Sequence, residues 1–436
     1  MSVGNLVAKA TLTTKSPTSI GGGSSLAVAT INCLKGDRFK MGKNFIAADI
    51  GTSETRISVD GALVLRIPNN CVFITEPTPE SFPAGEGLLG SLEAVIEGLE
   101  ENPVTVLFGE MAARYSANNQ RPTPLEAKHK QYINIVSIII GAALGKIEKN
   151  YNNSTPVDLH IALPPVEVNK ARRVLESSLG GEYRVEFPKL KRAARVKFDN
   201  IYCYEESRMA GEAFMDQLPE EYKQGTVLSV DIGAGTTDLA LFINGIFYER
   251  SAKTYKIGGN TAREFLIDDI TAEYDYELPI GEAEEVISTG LLRLGNSKVN
   301  VVENVNAAKA EFAETLVNSI QQYFRAVNVP IQSVNAFLLS GGGSLSSSIE
   351  GSRSVASYVV DALKSVCPSI DTVEYKGDAR LANLDGLCKM AQSENSEGPV
   401  KPVTPSGMKE TLASAKEATP PAAAKEATPT TDGVTE

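Results

Sequence analysis

Histidine is almost missing from this chain: His129 and His160 are the only two in 436 residues. His160 sits inside the strand-like run Val157 to Leu163, so a histidine-based triad or zinc site has no support. Cysteine is equally sparse. Cys33, Cys71, Cys203, Cys367 and Cys388 are odd in number, far apart and without a CxxC pair, which argues against zinc or redox chemistry and fits reduced thiols in a cytoplasmic protein. The longest apolar stretch, Tyr132 to Leu144, is interrupted by Asn134, Ser137 and Gly141 and falls short of the ~20 residues a membrane span needs. It reads as a buried helix. Positive charge is also in deficit: a net charge of −12 and a pI near 5.0 argue against direct nucleic-acid binding, which draws on Lys and Arg to neutralise phosphates. Any DNA would be held through an adaptor. Neither GxGxxG nor GxxxxGK[ST] occurs, so dinucleotide-binding and Walker readings lack a basis.

What is present is an ordinary globular composition, 42% hydrophobic and 22% charged. The length predicts roughly two to three domains of about 150 residues. Residues 1–42 are rich in Ser, Thr, Gly and Ala and read as a disordered extension. Their acid-poor character mildly resembles a transit peptide, Met41 just before the first strand reads equally as an alternative start site, and a natural bacterial extension is the leading reading. Residues 393–436 are rich in Pro, Ala, Thr and Glu and repeat Ala-Lys-Glu-Ala-Thr-Pro, which predicts a disordered spacer or docking tail with no amphipathic anchor. Between them strands and helices alternate, the mark of an α/β architecture. Strands are expected over Asn44 to Ile50, Thr55 to Asp60 and Leu63 to Ile67, the last two joined at Asp60-Gly61, and a helix over Leu125 to Ile147. The stretch Glu76 to Pro103, acidic and rich in Pro and Gly, yields no assignment.

The most informative feature is an echo. Ala48-Asp49-Ile50-Gly51-Thr52-Ser53 returns as Val230-Asp231-Ile232-Gly233-Ala234-Gly235-Thr236-Thr237, each time between two strands. Glycine lets backbone approach a polyphosphate, while amides and hydroxyls donate to its oxygens. An aspartate would repel phosphate directly, so its task is to hold waters of a bridging Mg²⁺. One such turn is an ordinary strand end. Two imply two domains of one kind whose turns face a single ligand. A third run, Ser340-Gly341-Gly342-Gly343-Ser344, follows an apolar strand and would let an adenine or ribose lie against the backbone.

In this order the three loops resemble the phosphate-one, phosphate-two and adenosine motifs of the actin, Hsp70 and sugar-kinase superfamily, over residues 44 to 391. Tyr204-Glu205-Glu206-Ser207-Arg208-Met209-Ala210-Gly211 is similar to the segment before phosphate-two in ParM-type plasmid-segregation actins. The resemblance implies an α/β actin-like (ribonuclease H-like) fold: domain I over 43–225 and domain II over 226–392, with the last helices returning to domain I, and a cleft for ATP or GTP with Mg²⁺. It implies that Asp49, Gly51, Thr52 and Ser53 form the first phosphate loop, Gly233, Gly235, Thr236 and Thr237 the second, and Gly341, Gly342 and Gly343 the adenosine loop. Asp49 and Asp231 would meet Mg²⁺ through water, with Asp231 also catalytic, and Glu206 would orient the attacking water. Arg56 stands where many relatives carry a phosphate-facing Lys, a departure whose planar fork approaches phosphate differently.

The function implied is a nucleoside triphosphatase that polymerises into filaments, for DNA segregation through an adaptor or as a cell-shape scaffold. Its partners would be further copies of itself and proteins docked on the tails, with no direct nucleic-acid binding and no membrane span. A monomeric kinase of the same fold is the alternative. For Glu206 a structural role remains open as well, since a carboxylate at a helix start meets the helix dipole favourably.

Overall fold

The computed structural model describes residues 44–397 except 52, 70, 75–90, 110, 111, 113–126 and 345–348. The expected N-terminal extension, most of the Pro-rich tail and Thr52 lie outside the described residues.

In chain order the elements are β1 (Phe45–Ile50), β2 (Glu54–Val59), β3 (Ala62–Pro68), β4 (Cys71–Ile74), β5 (Ser91–Glu97), β6 (Val104–Gly109), α1 (Ala127–Glu148), β7 (Val157–Leu163), α2 (Val168–Ser178), β8 (Glu182–Phe187), β9 (Arg192–Glu205), α3 (Glu206–Met215), α4 (Glu220–Lys223), β10 (Thr226–Ile232), β11 (Thr237–Ile243), β12 (Ile246–Phe247), β13 (Lys253–Tyr255), α5 (Gly259–Tyr274), α6 (Ile280–Thr289), β14 (Leu291–Leu294), β15 (Ser297–Asn300), α7 (Val302–Val327), β16 (Ala336–Ser340), α8 (Val355–Val366), β17 (Asp371–Glu374) and α9 (Ala382–Glu397).

These strands form two main sheets with one plan. In the first, β3-β2-β1-β7-β9 run side by side, antiparallel across the two meander turns and parallel from β1 to β7 to β9. In the second, β12-β11-β10-β16-β17 repeat that order and those directions. The meander turn at Asp60-Gly61 is built from two left-handed residues, φ 49° and 79°, which suits the twist of the strands it joins. Strands β1 and β7 are buried along their whole length and β10 from Val227 onward, so their apolar residues do not alternate with exposed polar ones.

The first sheet extends beyond β9 through β8-β5-β6-β4 to nine strands and curls until β3 meets β6. Helix α1 fills the curl, buried on nearly every side from Ile133 to Leu144. Gly141 and Gly145 face Ile57 and Val59 of β2 so closely that a Cβ would lie 2.2 and 2.0 Å from those side chains. Strands β4, β5 and β6 fall in or beside the stretch that gave no sequence assignment.

Helix α9 packs on α3, β1 and β7, so the last described helix follows the second sheet in sequence yet lies against the first. It runs to Glu397, past Ser393, where the tail composition begins. The first proline after Ser393 is Pro399, so the backbone is free to continue the helix to Glu397. Tyr204 donates to Glu394 at 2.8 Å and holds that last turn. Among the described residues no helix is long and apolar enough to cross a membrane.

The α3–α9 crossing is the tightest contact in this region: a Cβ at Gly386 would lie 1.9 Å from the Met209 carbonyl oxygen, a backbone atom. Gly386→Ala should therefore lower stability by about 1–3 kcal/mol, the usual cost of overpacking a rigid site. Urea unfolding measures it, and a midpoint equal to wild type would show that the helices can part freely.

Candidate functional site

Both echoed turns are closed by the same hydrogen bond. The Gly51 amide donates to the Glu54 carbonyl at 3.0 Å, and the Gly233 amide to the Thr236 carbonyl at 2.8 Å. Surrounding structure fixes each one. Asn69 ties down the first turn, its side chain donating to the Gly51 carbonyl (2.9 Å) and its amide to the Ser53 carbonyl (2.9 Å). The second is held by the start of α5, where the amides of Gly259 and Asn260 donate to the carbonyls of Gly233 (2.9 Å) and Ala234 (2.7 Å). Gly258 is required here, because a Cβ would lie 2.7 Å from the Ala234 oxygen and the Thr236 nitrogen.

The two hairpins differ in what each sets opposite its aspartate. Across β1 and β2, Asp49 faces Arg56, and the guanidinium donates to its carboxylate at 2.7 Å. Across β10 and β11, Asp231 faces Asp238, two buried carboxylates directly opposite each other, an arrangement that disfavours charge on both. Asp231 accepts from Ser340 Oγ (3.0 Å) and Asn383 Nδ2 (2.8 Å). Burial pushes its carboxyl above the usual range, the Asn383 bond opposes this, and the nearby Asp49 charge adds to it. Burial likewise raises Asp49, and Arg56 offsets only part of the rise. Asp238 is raised to about 7, first by burial and further by the Asp231 charge, against hydrogen bonds from Thr254, Thr236 and Glu206. A carboxyl–carboxyl bond such as Glu206–Asp238 contains a shared proton.

Glu206 is the first residue of α3, so its side chain stands at the helix N-terminus and also reaches the second sheet. Thr237 is fully buried and donates its hydroxyl to the Ile257 carbonyl at 2.7 Å, which commits that proton to the scaffold. Thr236 and Gly235 are half-buried in the turn, and Ser53 is exposed. The third loop lies against the second. Gly341 has φ +88°, and a Cβ there would sit 2.3 Å from the Ile232 oxygen and 2.7 Å from Asp231 Oδ1. A Cβ on Gly343 would lie 2.5 Å from Ile232 Cγ2. Gly342 lies beside the stem of Arg380.

Arg56 belongs to a chain of ion pairs. Its Nε donates to Glu54 at 2.7 Å, Arg66 bridges Glu54 and Asp378 at 2.9 Å each, and Asp378 accepts from Arg380 Nε at 2.9 Å. The Gly341 amide donates to Ala379 O at 3.0 Å. The first hairpin and the third loop are thereby joined to the same turn. Sequence reasoning missed Asp238, Ser340, Asn383 and this relay. A lone acidic residue in the buried strand Thr237–Ile243 was the available signal for Asp238; nothing near Asn383 pointed to a residue 152 positions away.

Among the described residues no three His, Cys, Asp or Glu side chains are disposed to ligate a metal directly. A hydrated Mg²⁺, which keeps several waters and needs one or two carboxylates, fits this acidic cluster, since the cation would relieve carboxyls raised by burial and mutual repulsion. A groove of about 570 Å³ lined by Phe324, Val329 and Ile331 lies at the opposite end of β16 and carries no acidic residue.

The Asp238 proton makes stability depend on pH. Its folded pKa, about 7, lies above the unfolded value, so the native state binds a proton that the unfolded chain releases. The stability linked to it is complete below about pH 4 and lost as pH rises through about 7. Melting temperature without nucleotide or divalent cation should fall across this window, and Asp238→Asn should flatten the fall. An identical slope in the variant would remove Asp238 as its source.

Residues 229–348 match a family model described as the archaeal actin homologue MreB-like, C-terminal. No curated protein sequence matches the chain. Among solved structures, a 15-stranded ParM filament from Clostridium botulinum is similar at 16% identity, with 81% of this chain and 100% of that one covered and a TM-score of 0.62. An archaeal actin homologue is similar at 17% identity, 81% and 100% coverage and a TM-score of 0.59. Bacillus thuringiensis ParM with ATP follows at 15% identity, 82% and 100% coverage and a TM-score of 0.55. The chain has the fold of the actin-like superfamily, as seen in ParM and archaeal actin homologues.

Proposed function

We propose that this chain is a filament-forming actin homologue that binds and hydrolyses Mg-ATP between two related domains, 43–225 and 226–392. The observation that carries the reading is the convergence of Asp49 with Arg56, Asp231 with Asp238, and the Gly341–Gly343 loop, with Glu206 at the start of α3 hydrogen-bonded to Asp238. The turns at Gly51–Ser53 and Gly233–Thr236 offer amides and hydroxyls to the phosphates, Thr237 supports the second turn through Ile257 instead, and the third loop takes the adenosine. Asp49 and Asp231 hold waters of Mg²⁺, which when bound neutralises charge on the terminal phosphates. Arg56 balances Asp49 and keeps two anions from facing the phosphates together. Glu206 orients the attacking water, and the Glu206–Asp238 pair takes up its proton, so phosphate release should rise with pH through about 7. DNA segregation through an adaptor is the favoured cellular role, because filaments move an acidic protein's cargo without requiring it to touch DNA.

Glu206→Ala tests the catalytic assignment. The variant should fold and bind ATP, lose about 10²- to 10⁴-fold in phosphate release, and form filaments that outlast wild type. A role confined to the helix terminus would cost about 1 kcal/mol and leave hydrolysis intact; near-native phosphate release would sink the assignment. Asp49→Ala should weaken Mg-nucleotide binding about 10- to 100-fold. Negative-stain microscopy with and without Mg-ATP tests assembly, and chains that stay monomeric across salt and concentration would favour the kinase alternative.

A further inference from the structure

Charge is distributed unevenly over this acidic chain. The turn between β8 and β9 is basic: Lys191 and Arg192 are exposed, and Leu190 stands beside them 43% exposed. Lys191 adopts a left-handed conformation (φ 52°) and closes the turn with its amide donated to the Pro188 carbonyl at 3.2 Å. Arg192 is held by the Ile147 carbonyl at 3.1 Å, so the turn is anchored rather than loose. The opposite character occurs on α5 and α6. Over residues 259–289 the only basic residue is Arg263, which pairs with Glu284. Asp275, Glu277 and Glu282 are exposed, and Ile280 stands among them 63% exposed.

Each patch is thus an exposed branched aliphatic residue rimmed by charge of one sign, and the two signs are opposite. A strand of 14 residues separates the basic turn from the Glu205 end of β9 beside the candidate site, while the acidic patch is carried by the helical insertion of the second sheet. Two different complementary patches on one chain define a heterologous contact, which propagates instead of closing on itself. A rim of opposite charge steers such a contact and sets its register, with the apolar centre desolvated.

Resting on the filament reading above, we propose that the Leu190–Arg192 turn of one copy docks on the Glu277–Glu282 patch of the next, making this a contact between successive filament subunits. Neither patch belongs to the candidate nucleotide site, so their variants should bind nucleotide as wild type does.

The test is charge reversal in the full chain, read by light scattering and sedimentation with Mg-ATP. Lys191→Glu with Arg192→Glu, and separately Glu277→Lys with Glu282→Lys, should each raise the critical concentration at least about 10-fold. An equimolar mixture of the two variants should assemble again, because each reversed patch then meets its complement on the other chain. That rescue also excludes misfolding as the cause. Assembly of either variant at the wild-type critical concentration, or a mixture as inert as its components, would overturn the contact and leave the filament reading standing. Wild-type chains that never assemble would instead overturn the filament reading, and the contact with it.

Discussion

Asp231 and Asp238 face each other across neighbouring strands in the buried interior of the second sheet. Two like charges so placed cannot both ionise at little cost, and much of the surrounding structure answers that constraint. Ser340, Asn383 and Thr254 each spend a donor on one carboxyl or the other, and Glu206 shares a proton with Asp238. These donors come from β16, α9, β13 and α3. The second sheet, the last described helix and the helix that follows β9 therefore meet at one point that supports negative charge.

The two halves of the fold meet that need differently. In the first hairpin the residue opposite the aspartate is Arg56, so charge is balanced within the protein. In the second it is another carboxyl, so balance comes from a proton here and, in the proposed function, from Mg²⁺. The ion-pair relay from Arg56 through Glu54, Arg66 and Asp378 to Arg380 then links the balanced hairpin to the third glycine loop. The three loops are thus joined by short, partly buried contacts.

Much of this arrangement could be read before any coordinates, and the reasons are local. Asp49-Ile50-Gly51 and Asp231-Ile232-Gly233 are each bounded by apolar strands, and Gly341 follows one, so their turns show in the sequence. Cross-strand register does not: the pairing of Asp231 with Asp238 depends on a turn length visible only once Gly233 is seen to bond Thr236. Asn383 is invisible for a different reason, since it reaches Asp231 only because α9 returns across α3. Strands β4 to β6 were obscured by the Pro- and Gly-rich stretch around them. Helix α9 outlasts its expected end because composition changes at Ser393 before the backbone is obliged to.

The central claim is that the turns at Asp49–Ser53, Asp231–Thr237 and Gly341–Gly343 face one ligand. Hydrogen exchange with and without Mg-ATP addresses it most directly. The account predicts that peptides covering all three turns, together with the start of α3, gain protection at the same nucleotide concentration. Protection confined to one hairpin, or appearing instead at the groove beside Phe324 and Ile331, would contradict it.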